Sequence, residues 1–339
     1  MSESVFPNKT SAPPVQALLL DISQAVYILF MNQTVLSSML GFCELGSNIV
    51  SITVFIRQGM HSSINISFVV LSLVDLIKCL FILWVSLSVL NVVFGFYFPV
   101  FDVYSVISAW PIGMIERIGL FITAFVTIER YLSVAAPLNV KKIITSRRAL
   151  AILIAIIVLH VLTIIPLYLS VTLGWRFYPG MNVSLYSVFY KSNKQEMEEV
   201  AFTMYAIFQF ISICLIILFN FLLILQLKRQ SNWRLSKSSA MVLKKNALLN
   251  REAKTNKMVI TVATITLLCH IPAVTIFMTT DFVKELRVYG AYGPLMNVLF
   301  SFSFLLGSIN SSAKIFIFYT MSSKFRLTFR QIFGKKKIK

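Results

Sequence analysis

"TIERYLSVAAPL", residues 127–138, decides how this chain is read. An apolar run over about 105–134 ends on Glu129, Arg130 and Tyr131, a carboxylate and a guanidinium side by side, and Pro137 follows shortly after. Charges are costly in hydrocarbon, so a pair at the end of an apolar helix is placed there by function or by the interface. An arginine beside a carboxylate can hold a charge pair across a helix seam and release it when the bundle opens. It can also lie with its stem along lipid and its head among the headgroups. The stretch alone leaves both readings open.

The apolar run is one of several. Of 339 residues, 57% are hydrophobic and 13% charged, with mean hydropathy +0.80, well above the roughly 45–50% apolar content of soluble domains. Seven spans are read, at about 27–56, 66–94, 105–134, 149–173, 200–227, 257–280 and 293–319. Each can cross roughly 30 Å of hydrocarbon as a helix rising 1.5 Å per residue. No strand-type alternation stands out, which argues against a barrel. The expected fold is an all-α membrane protein, a seven-transmembrane helix bundle. Residues 1–26 form an N-terminal segment, 27–319 the bundle, and 320–339 a short amphipathic helix and basic tail. In that tail Phe325, Phe329, Ile332 and Phe333 fall on one helical face, suited to the inner membrane surface.

Basic residues orient the bundle. With the N-terminus outside, the inner segments hold 21 Lys and Arg against one acid, Glu252, whereas the outer segments hold six basic residues against eight acids. The expected topology is a multi-pass plasma-membrane protein with its N-terminus extracellular. The net charge of +18 sits beside the spans on one face. It points to anionic inner-leaflet lipid and an acidic cytosolic partner, and away from nucleic acid. No cleavable signal peptide is read, because residues 1–24 start polar and carry Pro7, Pro13 and Pro14. Cys43, Cys79, Cys214 and Cys269 all fall in spans, so no disulfide framework is expected. Asn8 and Asn182 head glycosylation triplets on outer segments, making a glycoprotein the expectation. Asn32 heads a third triplet too near the first span for use.

With Pro137-Leu138 behind it, Glu129-Arg130-Tyr131 resembles the Glu/Asp-Arg-Tyr motif of rhodopsin-like (class A) G-protein-coupled receptors. Other stretches match in order. "GSNIV" (46–50) resembles the first-span pattern and implies a central role for Asn48. "NISFVVLSLVDL" (65–76) resembles the second-span signature and makes Asp75 the buried aspartate. "CHIP" (269–272) resembles the sixth-span motif, with Pro272 at the kink and His270 where the family has tryptophan. "INSSAKIFIFY" (309–319), with Asn310 and Lys314, lies where the seventh span carries Asn-Pro-x-x-Tyr. The resemblance implies that Asn48, Asp75, Glu129, Arg130, Tyr131, Pro272, Asn310 and Lys314 form the activation switch.

There are also departures. Ser105 stands in the place of the family's outer cysteine, the fourth span lacks its tryptophan and the fifth its proline. A retained "ERYLSV" with the ending "NSSAKIFIFYTMSSKFR" is similar to the chemosensory receptors of gastropod molluscs. The resemblance further implies that Lys314 faces Asp75, where relatives with Asp and Asn hold a sodium ion. The ammonium of Lys314 would then stand in for that cation; the other reading is a lysine reaching to the inner headgroups.

Glu116 lies 14 residues before Arg130, close to four helical turns and roughly 21 Å away on nearly the same face. It leads the ligand-contact expectations, with a structural pair to Lys78 as the other reading. Lys78, Ile112, Gln209 and His270 complete the ligand-binding set, although His270 also suits a neutral imidazole bonded within the core. Arg117 points elsewhere, toward the fourth or fifth helix, and His160 is read as structural.

These features favour a receptor that turns binding of an extracellular small molecule or peptide into an opening on the inner face for a heterotrimeric G protein. A chemosensory ligand is the leading reading and a neuropeptide the second. A transporter or channel is a more distant class, since buried charges also line ion paths, but no repeated halves appear. An enzyme is not expected: His61, His160 and His270 have no metal-ligand spacing, no nucleophile motif is present, and neither cofactor nor metal is called for.

Overall fold

In hydrocarbon every backbone N–H and C=O must be satisfied within the protein, and a helix does this inside one segment. A computed structural model of the chain describes residues 21–93, 103, 105–179, 182–236, 243–286 and 292–334. Asn8, most of the N-terminal segment and the end of the basic tail lie outside these. Among the described residues seven helices are long and apolar enough to cross a membrane. They are Ser23–Arg57, Ser63–Ser88, Val106–Ala135, Ser146–Leu169, Lys194–Asn232, Ala253–Ile276 and Gly293–Met321, hereafter the first to seventh spans. The seven-helix bundle expected from the apolar runs is the architecture found.

The first span is not a uniform helix. Met31–Leu36 winds as a π-turn. Asn32 is buried there and donates from Nδ2 to Ser301 Oγ of the seventh span at 3.0 Å. Its amide is thus tied into the bundle, whatever its sequon suggests.

The fourth span ends at Leu169, not near 173, because the chain turns directly into a β-hairpin. Strand β1 (Val171–Tyr178) pairs antiparallel with β2 (Val183–Tyr190), with Val171 opposite Tyr190 and Tyr178 opposite Val183. The fold is therefore all-helical in the membrane but not throughout, and the reading that found no strand alternation is corrected here. The alternation is present: Leu173, Trp175, Phe177 and Tyr186 are exposed on one face. Val188, paired with Leu173, joins Val106, Trp110, Leu167 and Tyr205 in a buried cluster. Lys191 clamps the hairpin base, its backbone N–H donating to Ser170 O and its ammonium to Leu169 O, both at 2.9 Å. Asn182 sits at the turn with φ 52°, a conformation asparagine tolerates better than most residues.

At the opposite end of the bundle, the terminal helix Ser323–Phe333 starts where Ser322 Oγ accepts from Phe325 N–H at 3.2 Å. Its inward face carries Phe325, fully buried. The Phe325 ring lies 5.2 Å from that of Phe55 and 5.7 Å from that of Phe318, and Phe68 completes the cluster at 5.1 Å and 4.9 Å from Phe55 and Phe318. Offset and edge-on aromatic pairs at such separations add to the gain from burial. The cluster ties the first, second and seventh spans to the terminal helix.

Candidate functional site

The charges inside the bundle organise it. Lys314 reaches from the seventh span to the second, where its Nζ lies 2.5 Å from Asp75 Oδ2 and donates to it. Both side chains are buried. The ammonium therefore turns across the bundle and does not reach for headgroups. One turn along the second span, Lys78 Nζ lies 3.2 Å from Glu44 Oε1 of the first span and donates to Gly307 O of the seventh at 3.0 Å. Lys78 thus pairs with Glu44, not with Glu116 as one reading expected. By helical arithmetic either carboxylate could serve, and only the close packing of the first and second spans decides between them.

Glu116 enters the same core from the third span. Its Oε1 is buried without a hydrogen-bond partner and rests against Gly307, where an added Cβ would strike it and would lie 3.6 Å from Lys78 Nζ. Glycine leaves the room into which a carboxylate and an ammonium approach the seventh-span backbone. Asp75, Lys78, Glu116, Gly119, Thr123, Thr266, His270, Asn310 and Lys314 line a cavity of about 10 Å³, roughly the space one water molecule needs.

Polar side chains extend the core. Asn48 Nδ2 donates to Glu44 O at 3.0 Å and to Ser311 Oγ at 3.1 Å, joining the first and seventh spans. Thr266 Oγ1 donates to Asn310 Oδ1 at 3.1 Å, joining the sixth to the seventh. Pro272 lies within the sixth-span helix, just past His270. Residues expected as ligand contacts (Glu116, Lys78, His270) and as switch residues (Asp75, Asn310, Lys314) therefore share one small cavity. Ile112 and Gln209 are not among its lining. Ile112 packs with Ile82 and Val85 of the second span, and Gln209 is buried on the fifth.

Arg117 diverges from Glu116 by one residue and faces the fifth span, its Cζ 3.4 Å from the centre of the Tyr205 ring, a cation–π contact. The His160 ring lies 4.8 Å from Phe121 and 5.4 Å from Phe208. At the far end of the third span, Arg130 Nη2 lies 2.7 Å from Glu129 Oε1, and Ser63 Oγ donates to the same oxygen. Glu129 thus holds its arginine and the second span together. Tyr131 stacks toward Phe219 of the fifth span at 5.6 Å between ring centres.

The sequence reading gave no role to Glu44, Gly307 or Thr266. One signal was available for Glu44: the spans carry Glu44, Asp75, Glu116 and Glu129 as well as Lys78, Arg117, Arg130 and Lys314, so each buried cation had more than one candidate counter-ion.

A seven-span bundle with a buried ionic core and a glutamate–arginine pair at one helix end fits a serpentine membrane receptor. The chain belongs to the serpentine type 7TM GPCR chemoreceptor Srw family, whose sequence model matches residues 35–336. It is accordingly a multi-pass membrane protein. It is also similar to an FMRFamide receptor of Drosophila melanogaster, 28% identical over 316 residues that cover 90% of this chain and 54% of that protein. The chain spans about half the length of the curated relative it matches.

Proposed function

We propose that this chain is a rhodopsin-like (class A) G-protein-coupled receptor of the chemosensory type. It binds an extracellular chemical at the hairpin end and accepts a heterotrimeric G protein near Arg130, with its N-terminus outside. The mechanism is a shift between two packings, since a ligand that prefers the open one raises its population. The observation that carries the reading is the continuous polar core. Asp75–Lys314, Glu44–Lys78, Asn48–Ser311 and Thr266–Asn310 tie the first, second, sixth and seventh spans together. Opening the bundle must rearrange them. Asn48, Asp75, Glu129, Arg130, Tyr131, Pro272, Asn310 and Lys314 act as the switch in this proposal. Glu116, Lys78 and His270 form the floor beneath the ligand; Ile112 and Gln209 act from the neighbouring helix faces. No catalytic step is involved. Anionic inner-leaflet lipid holds the terminal helix, and Asn8 and Asn182 are the proposed glycosylation sites.

In the gastropod-like chemosensory reading the ligand is a small water-borne compound. A peptide ligand is the second reading, favoured by the similarity to a receptor named for FMRFamide. Expression with a promiscuous G protein and a calcium readout separates the two. Responses to amino acids or odorants but to no peptide support the first; responses to amidated peptides alone support the second.

A further inference from the structure

Glu116 lines the cavity with an oxygen that finds no donor; the Glu44 oxygens also lack a hydrogen bond, but Lys78 Nζ lies 3.2 Å from one of them. Three carboxyl groups meet in this core, Glu44 from the first span, Asp75 from the second and Glu116 from the third. Among the described residues two ammonium groups meet them there, Lys78 and Lys314. Each ammonium is committed: Lys314 lies 2.5 Å from Asp75, and Lys78 lies 3.2 Å from Glu44 with a further bond to Gly307 O. Arg117, next in sequence, does not line the cavity; its guanidinium is stacked on Tyr205 toward the fifth span. His270 of the sixth span does line it but stands among the two ammonium groups, which disfavour a third positive charge. His160 lies beyond the third span, between Phe121 and Phe208.

A carboxylate with one oxygen buried away from any donor, and with no ion pair among the described residues, is costly in hydrocarbon, and such a group sheds its charge by taking a proton. The space beside Glu116 has room for about one water, too little to hydrate a full negative charge. Gly307 brings the seventh-span backbone against the carboxyl where a side chain would otherwise stand.

We infer that Glu116 is a proton-binding site. It carries a proton as a neutral carboxylic acid while the bundle is closed, and yields it to water when the cavity opens. The closed packing then holds one proton more than the open one, so acid favours the closed packing and alkali the open one. The inference rests on the ionic core and holds for any ligand class.

Infrared spectroscopy of the purified receptor in lipid nanodiscs, without any ligand, reads this directly through the C=O stretch of protonated carboxyl groups. At neutral pH one such band is expected, shifting in D2O, absent in Glu116→Gln and retained in His270→Gln. Glutamine resembles the neutral acid in shape and polarity, so Glu116→Gln is expected to fold. Glu116→Asp keeps the carboxyl, displaces it and moves the band. The absence of any protonated-carboxyl band in the unaltered receptor overturns the inference. So does a band that Glu116→Gln and Glu116→Asp leave unchanged.

Discussion

Lys314 Nζ and Asp75 Oδ2 lie 2.5 Å apart across the second and seventh spans, between residues 239 positions apart in sequence. Removing one partner of a buried pair leaves the other charge without compensation, which costs about 3–5 kcal/mol, while replacing both by neutral groups is often close to neutral. Lys314→Met and Asp75→Asn are each expected to lower the thermal unfolding midpoint strongly. The double variant is expected to recover most of the loss. Equal and additive losses in the double-mutant cycle would show that the two side chains do not interact.

The same pair predicts an ion effect. On the proposal that the ammonium stands where relatives hold a cation, sodium is expected to change agonist affinity little in the unaltered receptor. Lys314→Asn vacates that place, and sodium dependence should then appear. Agonist competition binding in sodium and in N-methylglucamine buffers measures both. A large sodium effect in the unaltered receptor would count against the substitution of lysine for ion.

Gly307→Ala inserts a methyl where Glu116 Oε1 already rests. Overpacking of this kind costs about 1–3 kcal/mol. The expected result is a lower unfolding midpoint and reduced surface expression, both restored by adding Glu116→Ala. An unaltered midpoint in Gly307→Ala alone would mean that the carboxyl is free to move aside.

Phe325→Ala removes a fully buried ring from the cluster with Phe55 and Phe318. Such truncations cost about 3–5 kcal/mol when the cavity cannot collapse. Here the terminal helix can detach instead, so a smaller loss of stability is expected, together with faster amide hydrogen exchange over 323–333. Unchanged exchange there would show that the ring does not anchor the helix.

The seven spans were legible because runs of about 20 apolar residues have few other uses. The terminal helix was legible because Phe325 and Phe329 repeat at helical spacing. The hairpin was hidden: Leu173, Trp175 and Phe177 alternate with Gly174, Arg176 and Tyr178, but both sets include apolar or aromatic residues, and the first of them ran on from the fourth span without a break. For the site, periodicity could place Glu116, Lys78 and Lys314 on inward faces. It could not choose between Glu44 and Glu116 as the partner of Lys78, since that depends on how closely neighbouring helices approach. Nor could periodicity show that Ile112 packs against Ile82 and Val85. Gly307 carries no side-chain signal at all, and its role exists only in what it allows two other residues to reach.

The central proposal, that this bundle signals through a G protein, is tested most directly by nucleotide exchange on a purified heterotrimer. The receptor is reconstituted in lipid, and exchange is measured with and without the compound that evokes calcium signals in cells. The account predicts compound-dependent exchange that Arg130→Ala reduces severely. Compound-dependent ion current or uptake in liposomes holding the receptor alone, with no exchange on the G protein, would contradict it.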